Sequence, residues 1–201
     1  MRRILLSLTL LLFLPSSALA LRQSSFSRQQ QGLTVSTRTV RYQISGDTSA
    51  ALREQISQLG VLDKSTGVRY GGFTNWYYHW HINYRVSSGK CRLTQAEIHL
   101  DLKYTLPHWS PPSSASADFV SSWNSFLKAL TGHENGHGTL AITGGRKLLK
   151  KLRGLAPSYS CSALTAAAKR TFVRENERIK TIEAAYDTRT DHGATQGATL
   201  P

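Results

Sequence analysis

The sequence predicts an α+β fold in which an N-terminal antiparallel or mixed sheet is followed by long helices. Apolar and polar residues alternate with period two from residue 73 to residue 104, on both sides of a turn at residues 87–90. This pattern is typical of a β-hairpin with one buried face. From about Ser116 the apolar residues recur at the spacing of a helix instead. Strands followed by long helices favour the α+β class.

The predicted sheet begins with a Thr- and Val-rich segment, residues 33–44, which alternates as a strand does. Residues 45–48 indicate a turn and a helix cap, and a short helix is expected to end at Gly60. The hairpin residues expected to face inward are Trp76, Tyr78, Trp80, Ile82, Tyr84 and Val86 in the first strand and Ala96, Ile98, Leu100, Leu102 and Tyr104 in the second. The Pro-containing segment 106–112 is expected to end the sheet.

Two long helices are expected to follow the sheet. The first begins near Ser116, and the glycine pair at residues 144–145 is expected to kink or end it. The second is expected over residues 162–185, and the tail beyond it has no periodicity. No linker divides residues 33–201, which predicts a single domain.

The first twenty residues have the pattern of a signal peptide. Two arginines precede an apolar run of about twelve residues, and Ala18-Leu19-Ala20 matches the small-residue pattern of a cleavage site. Cleavage after Ala20 predicts a periplasmic or secreted protein with a flexible N-terminus, residues 21–32, and no stable membrane anchor. An uncleaved N-terminal anchor is the alternative, although the run is shorter than the roughly 20 apolar residues of a membrane span.

The composition fits one folded, exported domain. Four Trp, eight Tyr and six Phe among 201 residues exclude an intrinsically disordered chain. The net charge of +13 favours an anionic partner such as an envelope polymer, while export argues against nucleic acid. Cys91 and Cys161 are the two cysteines, and an even number in an exported chain predicts a disulfide bond. Two free thiols are the alternative.

The segment His133-Glu134-Asn135-Gly136-His137 is an HExxH pattern within the first predicted long helix. Residues four apart lie on one face of a helix, so both imidazoles can bind one metal ion, and the pattern predicts zinc. Glu134 is then placed to take a proton from water that attacks a carbonyl group. Two buried, hydrogen-bonded core histidines beside a surface glutamate are the alternative. Gly136 is a poor helix former, which suggests a close approach by another backbone or by substrate.

A catalytic zinc usually has three protein ligands, so the third must lie outside this pattern. Glu175 and Glu177 on the second predicted long helix are candidates, and so is His192 in the polar tail. His79 and His81 share the polar face of a predicted strand and could form a separate H-x-H metal site. A solvated or substrate-facing role is favoured for them, because no acidic residue lies nearby in sequence.

Several segments of the sequence together resemble one known family. They are the strand sequence YYHWHINYRV, the strand end TLPHW, the helix pattern W-x-x-F-x-x-x-L-x-x-HENGH and the closing YDTRTDHGATQG. The resemblance covers about residues 33–200 and is to the DUF922 family of exported bacterial proteins, described as predicted secreted zinc-dependent proteases. It implies a zincin-like fold with HExxH on the active-site helix, zinc ligation by His133 and His137, and Glu134 as the base. The tail motif implies His192 as the third ligand.

These observations predict an exported zinc hydrolase with one Zn²⁺ per chain, and in particular a metallopeptidase acting on a peptide or an envelope protein. Residues close to His192 in sequence could assist it. Tyr186 could polarise the carbonyl group, and Asp187 or Asp191 could orient a ligand imidazole. The alternative is a non-catalytic binding module for an anionic envelope polymer, with a structural zinc or no metal.

Overall fold

The computed structural model of the protein describes residues 32–64 and 67–200, and these belong to one compact unit. The predicted signal peptide and nearly all of the predicted flexible segment 21–32 lie outside the described residues. The described residues form a mixed sheet followed by long helices, which confirms the predicted α+β class.

The described residues contain five strands. They are β1 at Leu33–Ile44, β2 at Val61–Leu62, β3 at Arg69–Tyr70, β4 at Phe73–Ser87 and β5 at Lys90–Trp109. The main sheet has the order β1, β5, β4, and its central strand β5 is parallel to β1 and antiparallel to β4. The short strands β2 and β3 form a separate antiparallel pair. The main sheet is therefore mixed, with β1 and β4 at its edges.

The described residues also contain three α-helices. They are α1 at Ser49–Leu59, α2 at Ala117–Arg153 and α3 at Cys161–Thr190, and a short 3-10 helix at Ala194–Gln196 follows α3. Each α-helix begins after a hydroxyl side chain that accepts a hydrogen bond from the first helical turn. Among the residues described, none of these helices combines the length and the apolar character that a membrane crossing requires.

One face of the main sheet packs against α2 and α3 and forms the larger core. Alternate residues of β5 are buried there, as the alternation predicts: Ala96, Ile98, Leu100 and Leu102. Their partners include Leu148, Leu149 and Leu152 of α2 and Ile179 of α3. A second apolar cluster joins α1 to the first half of α2, and its buried members include Leu52, Trp123, Phe126 and Leu130.

The inward face of β4 ends earlier than the alternation predicts. Pairing between β4 and β5 shifts register between Asn83 and Tyr84. Tyr84 is 46% exposed and Val86 is 69% exposed, so the prediction that these two residues face inward is wrong. A register irregularity interrupts the regular alternation of faces, and the sequence period does not reveal it.

β5 continues to Trp109. The prediction that segment 106–112 ends the sheet is therefore wrong for residues 106–109, which are still part of the strand. Pro107 pairs with Tyr42 of β1, whereas the pairing with β4 stops at Thr105. Beyond Thr105 the strand has a neighbour on one side only. A proline, which lacks an N–H group, is tolerated at such an edge.

α2 continues through the glycine pair that was expected to kink or end it. A Cβ at Gly144 would collide with Ile179 of α3, and a Cβ at Gly145 would lie 3.1 Å from Tyr78 and 3.2 Å from Leu33. The glycines therefore allow α2 to approach α3 and the sheet closely, and they do not end the helix.

α3 extends to Thr190, beyond the predicted end at Ala185. Asp191 adopts the left-handed conformation and caps the helix. The tail from Tyr186 has no periodicity in sequence, yet residues 186–190 continue the helix. As a consequence, Tyr186 and Asp187 are held on a rigid helix next to α2.

The predicted disulfide bond between Cys91 and Cys161 is present. It joins the start of β5 to the start of α3, across a sequence separation of 70 residues. Closing a loop of this length stabilises the folded state by about 4 kcal/mol in the chain-entropy model.

Candidate metal centre

The HExxH residues lie in the middle of α2 and are buried. His133 and Glu134 are each 3% exposed, and His137 is 7% exposed. The helical spacing places the two imidazole rings one turn apart, with their centroids separated by 4.9 Å. The alternative interpretation expected two buried, hydrogen-bonded histidines, which the structure contains. It also expected a surface glutamate, and this part is wrong, because Glu134 is buried with the histidines.

Two ring nitrogens of these histidines converge on one carboxylate oxygen of α3. The Nε2 atoms of His133 and His137 lie 3.2 and 2.9 Å from Oδ1 of Asp187. Within the part of the chain that the structure describes, these three side chains form the one group able to hold a metal ion, with donor atoms within 4.8 Å of one another. Asp187 is therefore a candidate ligand itself, besides its expected role in orienting an imidazole.

The opposite nitrogen of each imidazole is held by a second side chain. Nδ1 of His137 lies 3.2 Å from Oε2 of Glu183, and Nδ1 of His133 lies 2.9 Å from Oε1 of Gln196. Carboxylate and amide oxygens accept hydrogen bonds, so each Nδ1 donates and each Nε2 is directed to the shared point. Among the described residues, Oε1 of Glu183 is buried without a hydrogen-bond partner, which leaves this carboxylate further bonding capacity beside the centre.

The neighbouring carboxylates determine the protonation of His137. Burial lowers the pKa of His137, but the hydrogen bonds to Asp187 and Glu183 outweigh burial and raise this pKa to about 10. Burial raises the pKa of Asp187, but hydrogen bonds from His133 and His137 outweigh it and hold that pKa below its ordinary value. Without a metal, His137 therefore carries a proton that a bound metal ion must displace.

A hydroxyl group of β4 holds the carboxylate of Glu134. Oγ1 of Thr74 donates a hydrogen bond to Oε2 of Glu134 at 2.6 Å. The other oxygen lies beside Gly72, where a Cβ atom would approach Oε1 to 2.6 Å. Burial raises the pKa of Glu134, and the hydrogen bond from Thr74 and the two histidine charges lower it by a smaller amount. A raised pKa suits a carboxylate that takes up and releases a proton.

Tyr186 packs its ring against both histidines. The ring stacks on His133 with centroids 5.0 Å apart and meets the ring of His137 edge-on at 4.9 Å. Its hydroxyl donates to the His133 carbonyl at 3.3 Å and accepts from Nε2 of Gln196 at 3.2 Å. The structure thus places Tyr186 as a support for the histidines, while its role in polarising a carbonyl stays a prediction.

The same tyrosine explains Gly136. A Cβ at this position would collide with the hydroxyl and ring of Tyr186. The expectation that another backbone or a substrate approaches Gly136 is therefore wrong. A neighbouring side chain occupies this space instead.

His192, the predicted third ligand, lies next to Asp187. Its Nδ1 atom is 3.7 Å from Oδ1 of Asp187, and its side chain is 46% exposed. Its ring packs against Tyr70, with centroids 4.6 Å apart. Three imidazoles thus surround one carboxylate oxygen, and ligation by His192 stays a prediction.

The two glutamates considered as third ligands lie elsewhere on α3. Glu175 is buried in an ion pair with Lys151, and Glu177 pairs with Lys180 at 2.8 Å. At a rise of about 1.5 Å per residue, Glu175 is roughly 18 Å along the helix from Asp187. The structure does not bring either glutamate to the HExxH residues.

A cavity of about 320 Å³ lies beside the two histidines. Its polar lining includes His133, Glu134, His137, Asp187 and His192. Its apolar lining comes from α1, α2 and the C-terminal segment, and includes Ile56, Phe126, Leu130, Ala198 and Leu200. The candidate ligands and the candidate base therefore border the same cavity.

His79 and His81 lie on the exposed face of β4 and are not part of this centre. Nε2 of His79 lies 3.1 Å from Oδ2 of Asp101, and Nε2 of His81 lies 3.0 Å from Oδ1 of Asn83. The structure therefore supplies His79 with an acidic partner from β5 that is distant in sequence. Their exposure agrees with a solvated role.

The sequence interpretation missed three side chains of the centre: Thr74, Glu183 and Gln196. Glu183 precedes Asp187 by four residues, a helical spacing that places both carboxylates on one face of α3. Gln196 belongs to the closing motif HGATQG. Both residues could have been found from sequence, whereas nothing in the sequence marks Thr74.

Comparison with known proteins gives one match. Residues 39–193 match the family model DUF922, which is described as a bacterial protein of unknown function. Neither the curated proteins nor the solved structures contain a match to the chain. The matched range includes the HExxH pattern, Asp187 and His192. Because it covers more than half of the chain, the protein belongs to the DUF922 family.

Proposed function

We propose that this protein is an exported zinc-dependent hydrolase that cleaves peptide bonds. The observation that carries the proposal is the orientation of two imidazoles. His133 and His137 direct their Nε2 atoms to one point, while Gln196 and Glu183 hold their Nδ1 atoms. Outer hydrogen bonds of this kind typically orient metal-binding histidines.

The donor set favours one zinc ion per chain. Two imidazole nitrogens with a carboxylate or a third imidazole are typical zinc ligands, whereas calcium and magnesium prefer oxygen ligands. Asp187 lies closest to both histidines, and His192 is the competing third ligand. When bound, zinc supplies a Lewis acid that makes water nucleophilic at neutral pH.

Glu134 is the proposed general base. Glu134 lines the cavity and follows His133 directly in sequence. It does not belong to the candidate ligand group of His133, His137 and Asp187. Its carboxylate would take a proton from the attacking water and pass it to the leaving amine. Thr74 holds one carboxylate oxygen, and the other remains for proton transfer. With HExxH on α2 beside an edge strand, the proposed site is zincin-like.

The edge of the sheet supports a peptide as the substrate. β4 lies at this edge, and its first residues Phe73 and Thr74 line the cavity. The free main-chain groups of an edge strand can pair with an extended peptide. The disulfide bond and the leader pattern favour export, so we propose envelope protein as the source of the peptide.

A binding module is the competing function, and a basic surface on α2 supports it. This surface consists of the exposed residues Arg146, Lys147, Lys150, Lys151 and Arg153. It could contact an anionic envelope polymer. A structural zinc site is usually closed by four protein ligands, however, and here the candidate ligands border a cavity. The open cavity favours the hydrolase.

The substitution Glu134→Gln tests the proposal. It preserves the size of the side chain but removes its ability to accept a proton, so cleavage should fall about 10²–10⁴-fold while zinc stays bound. Cleavage of a peptide library is measured by mass spectrometry, with chelated protein as the blank. Glu97→Gln makes the same change at an exposed position of β5 and should keep wild-type activity.

One result would overturn the proposed base, and another would overturn the hydrolase itself. Chelator-sensitive cleavage that survives Glu134→Gln would exclude Glu134 as the base. The binding module would be favoured by two observations together. Zinc-loaded wild-type protein would cleave no peptide, and the wild type and Glu134→Gln would bind an anionic polymer equally tightly.

A further inference from the structure

The cavity at the candidate metal centre contains an apolar compartment next to Glu134. We propose that this compartment selects a peptide with one bulky apolar side chain beside the cleaved bond. The inference rests on the proposed function and adds the substrate class to it.

Three side chains form the compartment: Ile56 from α1, and Phe126 and Leu130 from α2. Leu130 precedes Glu134 by four residues, which places it one helical turn, roughly 6 Å, from the proposed base on the same face of α2. The apolar wall therefore continues directly from the wall that carries the proposed chemistry. A side chain in the compartment would belong to a residue adjacent to the reacting carbonyl.

Gly71 and Gly72 lie at the border between the polar and the apolar part of the cavity. A Cβ at Gly72 would approach Oε1 of Glu134. A Cβ at Gly71 would instead make ordinary contacts, at 3.5 Å with Ile56, 3.7 Å with Leu130 and 3.9 Å with Phe126. The backbone of Gly71 is not left-handed, so conformation does not require a glycine there. Its missing side chain leaves the compartment available to a ligand.

The size and lining of the cavity define what it can accept. A volume of about 320 Å³ is near the lower limit for ligand pockets, so it suits a reacting group and one large side chain. An apolar side chain gains free energy when it leaves water, whereas a charged one would lose hydration against Ile56 and Phe126. The charged residues Arg53 and Asp63 also line the cavity.

The substitution Gly71→Val fills the compartment and tests the inference by binding, with zinc-loaded protein. Acetohydroxamate and 4-methylpentanohydroxamate carry the same metal-binding group and differ in their apolar chain. Calorimetry should show that the branched probe binds the wild type about tenfold tighter or more, as expected for burial of a Leu-sized group. Gly71→Val should remove this gain and keep the affinity for acetohydroxamate.

Two further variants complete the test. Gly132→Val makes the same change where a Cβ has no neighbour within 4 Å, and it should behave as the wild type does. Ile56→Ala enlarges the compartment from another wall. It should shift the preference toward a larger aromatic hydroxamate, and this result does not depend on how well Gly71→Val folds.

The outcomes separate the inference from the proposed function. Equal affinity of the wild type for both hydroxamates, or a gain that persists in Gly71→Val, would overturn the inference and leave the zinc hydrolase intact. Failure to bind zinc and either hydroxamate would overturn the proposed function, and the inference with it.

Discussion

Two clusters of two histidines and one aspartate lie in different regions of the protein. The inner cluster is His133, His137 and Asp187, and the outer cluster, on the exposed face of the sheet, is His79, His99 and Asp101. The nitrogen–oxygen distances are nearly equal, at 3.2 and 2.9 Å in the inner cluster and 3.1 and 3.0 Å in the outer one. Residue type and contact distance therefore do not distinguish the two clusters.

The clusters differ in convergence and in burial. Both inner imidazoles contact the same oxygen of Asp187, whereas the outer imidazoles contact different oxygens of Asp101. The inner histidine side chains are 3% and 9% exposed, and the outer ones are 58% and 42% exposed. A metal ion needs several donors directed to one point, so the inner cluster is the one that suits the proposed zinc.

The largest expected effect is the loss of zinc when an inner histidine is removed. His133→Ala or His137→Ala should weaken zinc binding by more than about 100-fold, since losing only an outer partner of a ligand weakens binding by about 10–100-fold. Titration against a competing chelator measures the affinity. His79→Ala and His99→Ala are the matched controls and should bind zinc as the wild type does. Equal losses at both clusters would contradict zinc binding at the inner cluster.

The next effect identifies the third ligand. Asp187→Asn should weaken zinc binding more than His192→Ala, because the oxygen of Asp187 lies close to both inner imidazoles and His192 is half exposed. The same chelator titration ranks the two variants. A larger loss in His192→Ala would make His192 the ligand, as the closing sequence motif implies.

A smaller effect should follow from removing an outer partner of an inner histidine. Glu183→Ala and Gln196→Ala should each weaken zinc binding by about 10–100-fold, because each substitution removes the oxygen that holds Nδ1 of an inner imidazole. Ser36→Ala removes a hydroxyl that contacts the outer His99 at 3.1 Å, and zinc affinity should not change. Wild-type affinity in both Glu183→Ala and Gln196→Ala would show that these outer hydrogen bonds do not affect zinc binding.

The smallest effect concerns Thr74, which contacts Glu134 but no candidate ligand. Its hydrogen bond lowers the pKa of Glu134, so Thr74→Val should raise that pKa and move the acidic limb of the pH–rate profile to higher pH. Loss of a hydrogen bond to a charged group should also reduce kcat/KM by about tenfold, with zinc content unchanged. A limb that moves to lower pH would contradict the assigned role of Thr74.

Local periodicity made much of the fold predictable. The helical spacing of His133 and His137 and the two alternating strands depend on neighbouring residues, and the structure contains both features. The exposed Tyr84 and the paired Pro107 depend on how β5 meets its partner strands. Single-strand patterns contain no information about such pairing.

The sequence pattern predicted the histidine pair of the inner cluster but not the contact of Asp187 with it, because that contact depends on tertiary packing. Asp187 lies on the last turns of α3, in the segment 186–190, where polar residues hide the helical period. Its place in the cluster depends on the packing of α3 against α2. The sequence therefore identifies the two candidate ligands of α2, while the contact of Asp187 with both of them becomes visible only in the folded chain.

Anomalous diffraction at the zinc edge, from crystals of the protein grown with zinc, distinguishes the two clusters directly. The expected result is one strong anomalous peak between the Nε2 atoms of His133 and His137, and none of comparable height beside His79 and His99. No peak at the inner cluster, or a stronger peak at the outer one, would contradict the proposed zinc centre.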